Sequence, residues 1–371
     1  MKTLVEVEPK AEEQFDPWTL TLVLTITIIE YEVFTFSKNT VAAAKQDAWL
    51  GVILGALIGM GFVYLNIKLA TRFTGKSYFE YLRIVWGKLI GTGFSVGYLG
   101  FFMLFLTALF HETMSANRLL FLPKTPSLIP LLIFAVSLTW LIANGITPIV
   151  RFFQLMAPFL LLPLVMLAVL FVRSIELNNF LPVFGGGIVP IFKGAFYFLG
   201  AYQGPEVLLF IAPFITQIGK GTKPALLGYA IPAVFGWFNT VAAIGILGVD
   251  AIKESILPGI DVVGLIQLPG FPVERFGLLL TMPWLIGIYT TMAIYLYLLC
   301  HGVTDICHWR QRKITTYSLT FLAMLSGYFV PNQSWHDQLR NVITWLTPVF
   351  VYALPALTLV VAIIRKKGSV S

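Results

Sequence analysis

Charge is scarce in this chain. Only 12% of its 371 residues are Asp, Glu, Lys or Arg, roughly half the share found in soluble domains. That shortfall excludes an ordinary soluble enzyme and a disordered regulator. Cysteine is scarcer still, with Cys300 and Cys307 the only two, which excludes a disulfide-stapled secreted module. Seven residues apart on one predicted helix, they lie about 10 Å from each other, too far for a bridge. With His301 and His308 beside them they still cannot close a tetrahedral metal shell. Missing too are GxxxxGK(S/T), HExxH, GxSxG and a dinucleotide-binding glycine motif, and four histidines do not make a nucleophile–base–acid set. No enzyme activity, cofactor or metal is expected. The long apolar runs lack a strand-turn rhythm, which argues against an outer-membrane barrel.

What fills the chain instead is apolar: 57% of residues are hydrophobic, with mean hydropathy +0.83. A membrane helix takes about 20 mostly apolar residues, so the stock matches about ten spans. They fall at 18–44, 48–70, 89–121, 127–145, 148–172, 187–218, 223–248, 275–303, 315–331 and 340–364. The predicted class is an all-α integral membrane protein with a single transmembrane domain. Asp16 and Pro17 open the first span as cap and first helical residue, and Pro331 closes the ninth. The first 17 residues carry five acids and two lysines, so no cleavable signal peptide is expected. With the N-terminus inside, 16 Lys and Arg fall in inner segments and eight in outer ones, Lys193 lying within span 6. That bias predicts cytoplasmic N- and C-termini. It also accounts for the net charge of +7 without nucleic acid.

Ionisable and helix-breaking residues inside spans are rare and point to function. Span 6 reads FYFLGAYQGPEVLLF. Gly200, Gly204 and Pro205 weaken a helix there, Tyr202 and Gln203 supply polar groups, and Glu206 follows. A break would expose backbone N–H groups at the start of the second half-helix, an end that suits an anionic or polar group. Glu206 could equally cap that end itself, leaving only a proline kink. Span 1 holds Glu30, Tyr31 and Glu32 near its middle. Two carboxylates two residues apart do not share a helical face, so local unwinding, a cation or proton site, or an ion pair to Lys193 are the alternatives. In span 3, Tyr98 could face a cavity or the core, while His111, Glu112 and Arg118 read as an interfacial cluster. Gly51, Gly55 and Gly59 form a ridge on span 2 that permits close helix approach. The segment Gly75–Gly87 reads as a short amphipathic helix on the inner surface, with Tyr78, Tyr81, Leu82 and Val85 on one face.

Interrupted spans 1 and 6 hold corresponding places in two halves of five spans. An odd number per half inverts one half relative to the other. This is the pattern of transporters with a midplane binding site, and it predicts repeats at 17–172 and 187–364.

The chain also resembles a named family, the B subunits of bacterial endospore nutrient germinant receptors, within the amino acid–polyamine–organocation (APC) superfamily of LeuT-like fold. The resemblance is carried by Gln46-Asp47-Ala48-Trp49-Leu50, Ser77-Tyr78-Phe79-Glu80-Tyr81-Leu82 with Gly87-Lys88-Leu89-Ile90-Gly91, and Thr125-Pro126. It continues in Asn178-Asn179-Phe180-Leu181-Pro182, Gly204-Pro205-Glu206-Val207 and Glu274-Arg275. It implies a receptor subunit in the spore inner membrane that binds a small-molecule germinant and works with an A-type membrane subunit and a C-type lipoprotein. Ligand-lining residues would be Glu30, Tyr31, Glu32, Tyr98, Tyr202, Gln203, Gly204 and Glu206. An autonomous proton- or sodium-coupled amino acid or amine transporter and an ion or water conduit are the alternatives. One departure stands out. In the family the span 1 turn is Gly-small-Gly followed by Leu-Pro, whereas here Glu30-Tyr31-Glu32 and Phe36-Ser37 stand in those places. Unless protonated or paired, glutamates there would repel a carboxylate, so the expectation is a ligand of cationic or hydroxyl character, or a bound cation facing Glu30 and Glu32.

Overall fold

The computed structural model describes residues 13–29, 36–118, 122–255, 258–265, 276–307 and 312–368. Within them the chain is helical, and its one β-type pairing is an isolated bridge between Phe15 and Ile215. Span 1 is traced by α1 (Thr19–Ile29) and α2 (Phe36–Ala44), span 2 by α3 (Ala48–Arg72). A short α4 (Tyr78–Trp86) precedes spans 3 to 5, which are α5 (Lys88–Ala116), α6 (Leu128–Ile142) and α7 (Ile146–Phe171). Span 6 is split into α8 (Val189–Ala201) and α9 (Val207–Ile211), and span 7 is α10 (Thr222–Leu247). After α11 (Val249–Glu254) and α12 (Pro258–Gly264), span 8 is α13 (Phe276–Cys307) and span 9 is α14 (Arg312–Tyr328). Span 10 runs through α15 (Gln333–Thr347), a widened π turn at Pro348–Ala353, and α16 (Leu354–Ile364). Six helical stretches are long and apolar enough to cross a membrane, and α1, α6 and α8 are shorter apolar helices. Asp16 caps the start of α1 as expected, its Oδ1 accepting from Trp18 N at 2.8 Å.

The packing pairs obey a simple rule. Adding five to one span number and subtracting five from the other maps most of the pairs onto one another. Span 1 packs on span 7 as span 6 packs on span 2; span 5 on span 8 as span 10 on span 3; span 4 on span 8 as span 9 on span 3. The pairs 2–7, 3–8 and 4–9 map onto themselves. Five spans per half is odd, so the second half runs opposite to the first. The fold is all-α, ten spans in two inverted halves.

Glycine makes the tightest of these contacts possible. A Cβ on Gly51 would come within 3.0 Å of Ile191 O, and one on Gly55 within 2.9 Å of Ala195 O and 2.7 Å of Phe198 Cδ1. One on Gly59 would overlap the Tyr229 hydroxyl of α10. The ridge therefore seats α3 against both α8 and α10. Gly61 faces open space. Of the six long stretches, span 8 is the most enclosed, with 72% of its most apolar part buried, against 24% for span 5. Leu162, Val165 and Val169 of α7 point outward with Val136 and Trp140 of α6, the pattern of a lipid-facing wall.

The expected amphipathic helix at Gly75–Gly87 forms as α4, opened by a capping box: Ser77 N donates to Glu80 Oε2 at 2.7 Å and Glu80 N to Ser77 Oγ at 3.4 Å. Its place differs from the expectation. Tyr78, Phe79, Tyr81 and Leu82 have no exposed surface. They pack into the protein against α5, α9 and α16 instead of lying in a lipid interface. Tyr81 Oη donates to Leu209 O at 3.0 Å, Arg83 pairs with Asp305 at 2.7 Å, and Arg365 Nη1 donates to Val85 O at 2.8 Å. Together these close the side of the bundle on which α1 begins. On the same side Phe15 N donates to Phe214 O and Thr216 N to Phe15 O, both at 2.8 Å.

The ridge yields a direct test. Gly55→Ala drives its Cβ into backbone at Ala195 and is expected to cost about 1–3 kcal/mol. Gly61→Ala enters open space and should stay within about 0.5 kcal/mol of the native chain. Thermal unfolding of the detergent-solubilised variants checks this, and equal melting temperatures would refute the packing described.

Candidate functional site

Span 6 stops being helical between Ala201 and Val207. Gly204 has φ of +125°, a conformation that side chains rarely adopt. Space demands glycine as well: a Cβ there would lie 2.7 Å from Ile28 Cγ1 and 3.3 Å from Thr27 Cγ2. The break in span 6 thus lies directly on the last turn of α1. Pro205 and Glu206 form the turn that starts α9. Gly200 is helical, and its role is close packing. A Cβ there would meet Thr344 Cγ2 at 2.6 Å and Thr344 O at 2.7 Å, so it lets α8 approach α15.

Three other spans supply the polar partners of this break, and span 1 packs against it. Glu206 is fully buried. Its Oε2 accepts from Gly204 N at 2.9 Å and its Oε1 from the Tyr295 hydroxyl of α13 at 2.6 Å. No ion pair to Glu206 occurs among the described residues. Gln203, 1% exposed, donates through Nε2 to Gly200 O at 2.7 Å and to Thr347 Oγ1 of α15 at 2.8 Å. The Tyr202 hydroxyl donates to Pro232 O of α10 at 2.7 Å, and Tyr352 of span 10 donates to Tyr202 O at 3.1 Å. On the α1 side, Thr27 is buried and Thr27 O lies 3.5 Å from Thr291 Oγ1 of α13. Tyr202, Gln203, Gly204 and Glu206 are therefore gathered at one crossing of spans 1, 6, 7, 8 and 10.

Tyr98 sits apart from that crossing. Its hydroxyl donates to Phe350 O at 2.5 Å and lies 3.4 Å from Tyr78 Oη. Its ring packs against Phe210 of α9 and against Phe350. It belongs to the aromatic packing between α4, α5, α9 and span 10. Glu30, Tyr31 and Glu32 lie outside the described residues, as does His308. Lys193 is exposed on α8. Cys300 is buried, Cys307 is exposed and both are free thiols. Among the described residues no group of His, Cys, Asp and Glu could hold a metal.

At the opposite end, the expected interfacial cluster is partly internal. His111 and His336 are buried and stack at 4.9 Å between ring centroids, Glu112 lies 3.8 Å from Arg340, and Arg118 is exposed. Sequence reading noted the Thr27 hydroxyl but missed Tyr295, Thr347 and Tyr352 at the break. Hydroxyl residues in helices usually bond their own helix or pack in the core, so none of the three stood out.

Comparison with known proteins agrees with this architecture. A family model described as Spore germination protein matches residues 16–334. The chain is similar to Spore germination protein YndE of Bacillus subtilis (strain 168), 25% identical over 93% of this chain and 96% of the relative. It is similar to Spore germination protein A2 of the same organism, 28% identical over 71% and 72%. Among solved structures it is similar to a manganese transporter of Eremococcus coleocola, with TM-score 0.68 and 12% identity over 96% of this chain and 81% of that one. It is also similar to MhsT in complex with L-phenylalanine, with TM-score 0.63 and 13% identity over 95% and 90%. At those identities the likeness to solved structures is one of fold.

The bonding at the break predicts a stability effect. Tyr295→Phe removes one of the two donors to a buried carboxylate, and the expected loss is about 1.5–3 kcal/mol. It should be read as a lowered melting temperature of the purified chain, and an unchanged one would remove Tyr295 from the site.

Proposed function

The chain belongs to the spore germination protein family, and from that premise we propose that it is the membrane subunit of a nutrient-germinant receptor. In this reading it binds a small-molecule germinant where span 6 breaks against the end of span 1 and thereby triggers germination. The observation that supports it most is the interruption at Tyr202–Glu206, closed by its own Glu206 and by partners from three other spans. Irregular backbone at membrane depth is tolerated where it is buried in protein or lines a cavity, and in inverted-repeat transporters such breaks form the binding site. The two repeats would be 17–172 and 187–364. The excess of Lys and Arg would place both termini in the cytoplasm, with the chain in the spore inner membrane.

A ligand acts by favouring one of two states, and a decisive shift takes about 5.5 kcal/mol of differential binding. The closed side gives that shift something to work on. Opening it breaks the Arg83–Asp305 pair, the Tyr81–Leu209 hydrogen bond and the backbone pairing at Phe15. Those changes would be passed to an A-type membrane subunit and a C-type lipoprotein. The fold shared with solved transporters favours a second reading, an autonomous proton- or sodium-coupled transporter of an amino acid or amine.

Affinity purification of the tagged chain from membranes of sporulating cells, with mass spectrometry, separates the two. Comparable recovery of an A-type membrane subunit and a C-type lipoprotein is expected. Recovery of the chain alone, together with gradient-driven uptake into proteoliposomes, would replace the receptor by the transporter.

A further inference from the structure

The break in span 6 has committed most of its donors and kept its acceptors. The hydrogens of four hydroxyls around it can be followed to protein acceptors, while the Thr27 hydroxyl stays uncommitted. Tyr202 donates to Pro232 O, Tyr352 to Tyr202 O, Thr347 to Ile343 O and Tyr295 to Glu206. The Gly204 N–H, the donor that the start of a half-helix would offer to an incoming anion, is already held by Glu206 Oε2. The protein thus supplies its own carboxylate at the place where a ligand's carboxylate would dock.

Gln203 carries the argument further. Both partners of its Nε2 can only accept: Gly200 O is a carbonyl, and the Thr347 hydroxyl hydrogen is committed to Ile343 O. The amide orientation is therefore fixed by its neighbours. Its Oε1 is left buried with no hydrogen-bond partner. A buried acceptor without a donor is costly, and in a native protein it calls for an explanation. The Thr27 hydroxyl, on the α1 turn against which Gly204 packs, is likewise buried and without a partner. Glu206 adds a carboxylate with no cationic side chain paired to it among the described residues. In sequence, Glu30 and Glu32 follow directly after the end of α1.

We propose that the site recognises its ligand through an ammonium group, with Gln203 Oε1 and Glu206 as acceptors. This rests on the reading that places the sensing site at that break. An ammonium brings three donors and no acceptor, the complement of what the site leaves open. A carboxylate would meet a like charge at Glu206 and a bare carbonyl at Gln203.

The test uses the full chain in lipid nanodiscs, alone and in the complex purified from spores, with thermal unfolding followed by tryptophan fluorescence. The probes are ethylamine and ethanolamine for the ammonium, propionate for the carboxylate, and L-alanine for both together. Both amines are expected to raise the melting temperature in a saturable way, and propionate is expected to leave it unchanged. Glu206→Gln and Gln203→Leu should each weaken amine binding about tenfold or more. Gln203→Leu removes the orphaned carbonyl but also the donor to Gly200 O, so the near-isosteric Glu206→Gln is the second variant, and each variant's melting temperature without ligand serves as the folding control. Protection by propionate that is lost in Gln203→Leu would overturn the ammonium assignment while leaving the break as the binding site. Amine protection untouched by either variant would overturn both, because the ligand would then sit elsewhere. Absence of protection by every probe, alone and in the complex, would overturn both as well.

Discussion

A membrane helix that stops halfway must find partners for the backbone groups it frees, because hydrocarbon offers none. Span 6 meets that demand with side chains. Gly200 O receives the Gln203 amide, Tyr202 O receives the Tyr352 hydroxyl, and Gly204 N is held by Glu206. These partners come from the break itself and from span 10, and Tyr295 and Pro232 bring in spans 8 and 7. The gathering of spans 7, 8 and 10 around one short segment of span 6 follows from that single requirement. A change in any of those spans that moves a partner by about an ångström leaves a buried group unpaired, and such a group costs about 1–3 kcal/mol. The break is thus a point where distant helices can affect one another.

The two halves of the chain solve the packing problem in parallel but with different chemistry. On one side Thr21 and Thr25 of α1 donate to Pro224 O and Gly228 O of α10. On the other, Gly51 and Gly55 of α3 bring its backbone against α8. The loop helix α4 packs on α9 while α11 packs on α2, again the same relation under exchange of halves. Gly228 of α10 also lets the α1 backbone approach closely, so glycine contact serves both pairs and hydroxyl bonding is added at one of them. The architecture therefore constrains backbone approach more tightly than it constrains residue type.

Much of this was legible in the sequence. Long apolar runs located the spans to within a few residues. Gly204-Pro205 with Glu206 located the interruption, because glycine and proline act locally and span 6 is otherwise apolar. The start of α4 was legible from Ser77 and Glu80, and its apolar face from the spacing of Tyr78, Tyr81, Leu82 and Val85. What covers that face was not legible, since an apolar stripe looks the same whether lipid or protein lies against it. Tyr295, Thr347 and Tyr352 escaped notice for a related reason. A hydroxyl gains its meaning from a partner tens of residues away, and one sequence carries no record of that pairing. Tyr98 shows the converse: a tyrosine that could have faced a cavity is held by Phe350 O and its aromatic neighbours.

The link between Phe15 and the segment after α9 rests mainly on main-chain atoms, Phe15 N to Phe214 O and Thr216 N to Phe15 O, with the Thr216 hydroxyl adding a bond to Phe15 O at 3.0 Å. Main-chain pairing is indifferent to most side chains, and only proline, which has no N–H, removes a donor from it. A stitch of this kind survives sequence drift. Relatives that have diverged as far as those matched here could retain the same tether while replacing every side chain along it. Alignment scores would then understate how strictly this joint is inherited, and its trace would be a missing residue type, an avoidance of proline at positions 15 and 216.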